Sequence, residues 1–169
     1  MPIPKLILLI INILGGVAVI GSYIFGLSGK SADALWGGTP SNIRPFYFIS
    51  MILAAIGYFF FIYFILFKLP VDISNFNLLY LIFCGILIPS ALWMPLSNLF
   101  IAQSTSSIWL AVRGVLILVG LFSCALVWFL FNLHGTGTAY WLAIAGSLYF
   151  AFHTTVLDMI LWPIFFRMS

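Results

Sequence analysis

Residues with chemistry to offer are few in this chain, and they gather near its C-terminal end. His153, Thr154, Thr155 and Asp158 interrupt an apolar run over 139–166. Polar groups in hydrocarbon are costly unless they are partnered or face a water-filled cavity. Ser147, Ala151, Thr154, Asp158 and Trp162 follow at steps of four, three, four and four, the spacing of one helical face. In the preceding run, 108–131, Arg113, Ile117, Gly120, Cys124 and Trp128 repeat those steps. The connection between the runs, 132–138, is short, which makes them antiparallel neighbours. Counted from that turn at 1.5 Å per residue, Arg113 and Asp158 both stand roughly 27–29 Å away. Two arrangements fit that shared depth. Arg113 and Asp158 form a direct or water-bridged ion pair, which is the expectation carried forward, or Arg113 snorkels to headgroups while Asp158 faces water at the helix end.

His153 and Asp158 could also act as acid or base and partner in an intramembrane enzyme working on a lipid, isoprenoid or sterol. Five positions separate them, about 140° around an α-helix, so the spacing predicts that they do not both point squarely into one site. No second carboxylate, metal-ligand set or nucleophile–base pair joins them, and neither a metal nor a cofactor is expected. Cys84 and Cys124 stand singly in apolar runs and are predicted to be buried apolar fillers.

The elements that must position these groups are transmembrane helices. Of 169 residues 64% are hydrophobic, with six basic and three acidic side chains, no Glu and a mean hydropathy of +1.26, far outside the soluble globular range. The thin net charge of +3 offers no basic stripe for nucleic acid. Five apolar segments, 6–25, 46–67, 78–100, 108–131 and 139–166, each reach the roughly 20 residues a bilayer core requires. Backbone groups in lipid must satisfy one another, and strand-length alternation is missing, so the expected fold is all-α: one domain, 1–169, forming a multi-pass bundle of five helices. Lys5 followed by an apolar run imitates a signal peptide, but the segment is long enough to span and is read as a retained helix.

Within the first segment Asn12, Gly15, Val19, Ser22 and Gly26 form a small face suited to close helix packing. The aromatic run from Phe59 to Phe67 is expected to be lipid-facing bulk. Pro89 and Pro95 should kink or locally open the third segment, near Trp93 and Asn98. The only long connection, 27–45, holds Trp36 among Gly and Pro and is expected to pack as a lid. By counting spans, this loop, the connection 101–107 and the C-terminus share one side, together with Arg113, Asp158 and Asn98. That is the layout of a pocket between helices with a lid over its mouth. Lys30, Arg44 and Arg167 against Lys5 and Lys68 put the loop in the cytoplasm and the N-terminus outside by the positive-inside rule.

Ala55-Ile56-Gly57-Tyr58, Trp93-Met94-Pro95 and Ala151-Phe152-His153-Thr154-Thr155, set in five helices with a long first loop, give a pattern that resembles the translocator protein family. These are the tryptophan-rich sensory proteins, known also as peripheral benzodiazepine receptors. The chain differs from the family in a tryptophan-poor approach to its second helix and in His153, where the family carries a small residue. The resemblance implies a pocket for flat, mainly apolar molecules such as tetrapyrroles (porphyrins) or sterols, often in a homodimer. It places Trp36 in the lid and Trp93, Ala151 and Thr154 in the pocket wall. The expected function is therefore a non-enzymatic membrane binding or transport protein, with ligand contacts at Trp36, Trp93, Asn98, Ala151, His153, Thr154 and Asp158. Its expected partners are membrane lipids and an apolar small molecule, and no nucleic acid. A structural subunit of a larger membrane complex and an intramembrane enzyme are the alternatives.

Overall fold

A computed structural model describes residues 1–27, 33–72 and 75–166; Lys30 and Arg167, used above for orientation, lie outside them. Among the described residues there is no strand. The elements are α1 (Ile3–Leu27), a 3-10 turn (Ala34–Trp36), α2 (Arg44–Tyr63), α3 (Phe76–Gln103), α4 (Ser106–Asn132), α5 (Thr138–Phe152) and α6 (Trp162–Phe166). Helix α2 continues through a π-helical turn, Phe64–Lys68, and α5 runs through a π-helical segment, His153–Leu161, directly into α6. Five continuous stretches result, Ile3–Leu27, Arg44–Lys68, Phe76–Gln103, Ser106–Asn132 and Thr138–Phe166, each long and apolar enough to cross a membrane.

Local chemistry explains the boundaries. Asn75 caps α3 by accepting the Leu78 amide at 3.1 Å, and Ser104 and Gly137 turn the chain with positive φ of 50° and 89°. Both prolines of α3 lie inside an unbroken helix, so the expected opening of this segment does not occur.

Helix α3 packs between α1 and α4, while α2 packs on α5. The small face of α1 meets α3: a Cβ on Gly15 would lie 2.7 Å from Leu87, and one on Gly26 would run into Met94. At the crossing of α2 and α5, Gly57 and Gly146 bring the two backbones together, and a Cβ on either would come within 2.6 Å of the other's carbonyl oxygen.

The interior divides lengthwise. Toward the N-terminal end of α1 an apolar core holds Leu8, Phe61, Phe64, Phe83, Leu126 and Ile144. Toward the first loop a second core holds Tyr47, Val112, Leu116, Leu157, Trp162 and Phe166, with Trp36, Trp93 and Trp109 against it. The aromatic run of α2 splits between the two environments: Phe59, Tyr63 and Phe67 face outward, whereas Phe61 and Phe64 are buried.

Both π segments end against a proline. Leu69 donates to Phe64 O at 2.9 Å just before Pro70, and Trp162 donates to Leu157 O just before Pro163. Each bond spans five residues, the π pattern. A proline has no amide to give the carbonyl four residues back, so Pro163 leaves Met159 O without that helical donor.

Candidate functional site

The π segment is what assembles the site. On an α-helix His153 and Asp158 would diverge, but a turn bonded at intervals of five brings residues five apart onto one side. His153 Nε2 lies 3.5 Å from Asp158 Oδ2. The expectation that these two residues do not both point squarely into one site is thus corrected, because it assumed 3.6 residues per turn where the backbone is underwound to take an extra residue.

The direct form of the expected Arg113–Asp158 ion pair is also corrected. Among the described residues Arg44 pairs with Asp33 at 3.5 Å, and Asp158 has the His153 ring at 3.5 Å, an ion pair only if that ring is protonated. Arg113 Nη1 instead donates to Met159 O at 3.4 Å, the carbonyl released by Pro163. The shared depth was read correctly, but the face was one residue off. Gly120 lies against Met159 and Thr155, and Cys124 Sγ is 3.7 Å from Thr155 Oγ1. Helix α4 therefore meets Thr155 and Met159, which leaves Thr154 and Asp158 to the interior. Cys124 is exposed rather than buried, on the rim of an outward-facing apolar depression of about 320 Å³ shared with Ala151, Phe152 and Thr155.

From Asp158 a hydrogen-bonded chain leads to α2 and back to α5. Tyr149 O–H donates to Ser50 Oγ at 3.1 Å, and Ser50 Oγ lies 2.9 Å from His153 Nδ1. If Ser50 gives its proton to Nδ1, a neutral ring carries its own proton on Nε2, facing Asp158; in the other tautomer Nδ1 donates to Ser50, whose oxygen has a second lone pair to accept it. In the first tautomer the carboxylate receives a neutral N–H at long range, 3.5 Å between heavy atoms. No other hydrogen bond among the described residues reaches it, and its side chain keeps 35% of its surface open.

Comparison with family models, with curated proteins and with solved structures finds no match. The site's chemistry therefore has to be read from its own atoms.

Aromatic residues flank the Asp158 turn: Tyr47 donates to Leu157 O at 3.3 Å, and Trp162 follows four residues on. Tyr23 packs on Trp93 at 5.5 Å between centroids, and Trp93 on Trp162 at 5.3 Å. Three of the described buried polar atoms without a partner lie on one stretch of α3: Trp93 Nε1, Ser97 Oγ and Asn98 Oδ1. Asn98 spends its amide nitrogen on Gly26 O at 3.3 Å. A buried unpaired polar group costs about 1–3 kcal/mol, so such atoms concentrate where something other than the fold selects them.

The first loop closes this end. Trp162 Nε1 donates to Leu35 O at 3.0 Å, Gly38 N donates to Phe165 O at 3.0 Å, and the Trp36 ring meets Tyr47 edge-on at 6.1 Å. Arg44 stacks over the other side of Trp36 at 5.6 Å. Gly37, at φ 48°, approaches so closely that a Cβ would sit 2.7 Å from Phe166 Cα. Of the residues singled out from sequence, Trp36, Trp93, Asn98, His153 and Asp158 are thus gathered at the loop end. Thr154 turns its hydroxyl back onto Phe150 O at 3.0 Å, and Ala151 contributes only a small buried surface. Sequence reasoning missed Tyr23 and Tyr149, and it placed Ser50 on a small helix face and Ser97 beside Trp93 and Asn98 without giving either a partner. Ser50 and Ser97 lie on buried helix faces and were detectable as polar residues at those positions, but nothing in sequence could pair Ser50 with His153 across two helices.

Proposed function

We propose that this chain is a multi-pass membrane protein that binds or carries a mainly apolar small molecule among α1, α2, α3 and α5, beneath the first loop. The observation that carries this reading is the group of buried polar atoms without partners on the stretch of α3 where Trp93 packs on Tyr23 and Trp162. A ligand with an apolar body and a few polar atoms satisfies them, as pockets with sparse polar groups do. The sterol- or tetrapyrrole-like class comes from the family resemblance alone.

Trp36 is the test. Replacing it by Ala strips an apolar contact from the loop, so release of a fluorescent sterol or tetrapyrrole should accelerate about tenfold while capture changes less. Equal release rates, or no saturable binding of either class, count against the reading.

The chain Tyr149–Ser50–His153–Asp158 favours one second reading, an intramembrane enzyme on a lipid or isoprenoid with Asp158 as the acid–base group and His153 orienting it. Ser50 is only 1% exposed, so it has no access to a substrate as a nucleophile. Turnover of a lipid substrate by the purified protein, lost in Asp158→Asn, is the result that this reading requires.

A further inference from the structure

Resting on the binding reading above, we infer that the ligand carries a cationic amine, seated on Asp158 within the aromatic wall of Tyr23, Trp93 and Trp162. The argument begins with charge. A carboxylate inside an apolar bundle needs a positive partner or a dense set of donors, and Asp158 has neither. His153 offers at most one N–H, at 3.5 Å, from a ring whose other nitrogen is engaged by Ser50. Arg113, the neighbouring cation on α4, is turned to Met159 O. The Tyr47 hydroxyl, beside the same turn, is committed to Leu157 O at 3.3 Å.

The surroundings fit an ammonium head. Tyr23, Trp93 and Trp162 make a continuous run of rings across α1, α3 and α6, and Trp162 lies one turn beyond Asp158. Aromatic faces next to a carboxylate are the usual receptor for a protonated or quaternary amine, because the ring quadrupole and the charge attract the same group. An independent observation points to a ligand at this place. Ser97, 0% exposed, has no partner for its hydroxyl and stands one turn along α3 from Trp93, on the same side. Together with Trp93 Nε1 it suits an acceptor atom on the ligand beside the amine. Anionic ligands are disfavoured by the same geometry, since Arg113, the neighbouring cation among the described residues, is engaged by a backbone carbonyl.

The experiment compares two probes with the same fluorescent body in the full chain reconstituted in lipid nanodiscs. Diphenylhexatriene is neutral, and its trimethylammonium derivative is cationic. Energy transfer from protein tryptophans, corrected with empty discs, reads saturable binding. The wild type should bind the cationic probe roughly tenfold more tightly than the neutral one, the scale expected for a desolvated cation on rings and a carboxylate. Asp158→Asn should erase that ratio, and Asp158→Glu, which keeps the charge, should retain most of it. Saturable but equal binding of both probes by the wild type overturns the inference and leaves the binding reading standing, and this comparison needs no variant to fold. Saturable binding of neither overturns both. A ratio that persists in an Asp158→Asn protein of unchanged elution and thermal midpoint places the cation elsewhere and also overturns the inference.

Discussion

The two ends of the bundle are built from similar residues and solve the polar problem differently. Toward the N-terminal end of α1, Phe61 is fully enclosed and packs on Tyr58, Phe83 and Phe150 with centroids 4.9, 6.2 and 5.6 Å away. The polar groups there pair off within the fold: Tyr58 donates to Asn12, Asn12 to Leu8 O at 2.8 Å, and Tyr140 to Leu130 O at 3.2 Å. At the loop end tryptophans replace phenylalanines, and all four of the described buried polar side-chain atoms without a partner, Thr39 Oγ1 included, are found there. The same split marks the π segments. Phe64–Lys68 buries apolar Phe64, Ile65 and Leu66, whereas His153–Leu161 carries His153, Thr154 and Asp158. One end is consistent with a role in stability, and the other holds groups whose partners the fold does not supply.

That division predicts separable effects. The largest belongs to the apolar end: Phe61→Ala should cost about 3–5 kcal/mol by cavity formation, read as a lowered unfolding midpoint. The ratio of cationic to neutral probe affinity in whatever protein folds should stay as in the wild type. A changed ratio would show that the two ends are not independent.

Arg113→Leu ranks next. It leaves the Met159 carbonyl without its donor, at a cost of about 1–3 kcal/mol. Because Arg113 serves that carbonyl and not Asp158, exchanging the charges in Arg113→Asp/Asp158→Arg should give no recovery over the worse single variant. Recovery in this double-mutant cycle would restore the ion pair and remove the case for an uncompensated Asp158.

Ser50→Ala is the smallest. It removes the link between Tyr149 and His153 and should cost about 1 kcal/mol or somewhat more. Its sharper readout is the His153 ring, whose nitrogen NMR shifts should report a changed tautomer balance once Nδ1 loses its partner. An unaltered spectrum would mean that Ser50 does not set the direction of the chain.

Much of the architecture was legible without coordinates. Five helices follow from segment length and hydropathy, since the backbone satisfies itself in each segment whatever its neighbours do. The small face of α1 followed from spacing because Gly15 and Gly26 act through what they lack. The common depth of Arg113 with the 158–159 turn followed from counting along two antiparallel helices. Cooperation of His153 with Asp158, the engagement of Arg113 by Met159 O and the link from Ser50 to His153 did not follow. The first depends on a local change of helical period near Pro163, and periodicity arguments presuppose a constant period. The second depends on which of two adjacent residues α4 faces, a rotation fixed by how Gly120 seats against Thr155 and Met159. The third joins residues 103 positions apart through the crossing where Gly57 meets Gly146. Sequence by itself determined which segments are helices and roughly how deep each polar group lies, because those are properties of single segments. Only the tertiary structure decided which polar groups meet and which are left without partners, because azimuth and close approach are set by packing between helices.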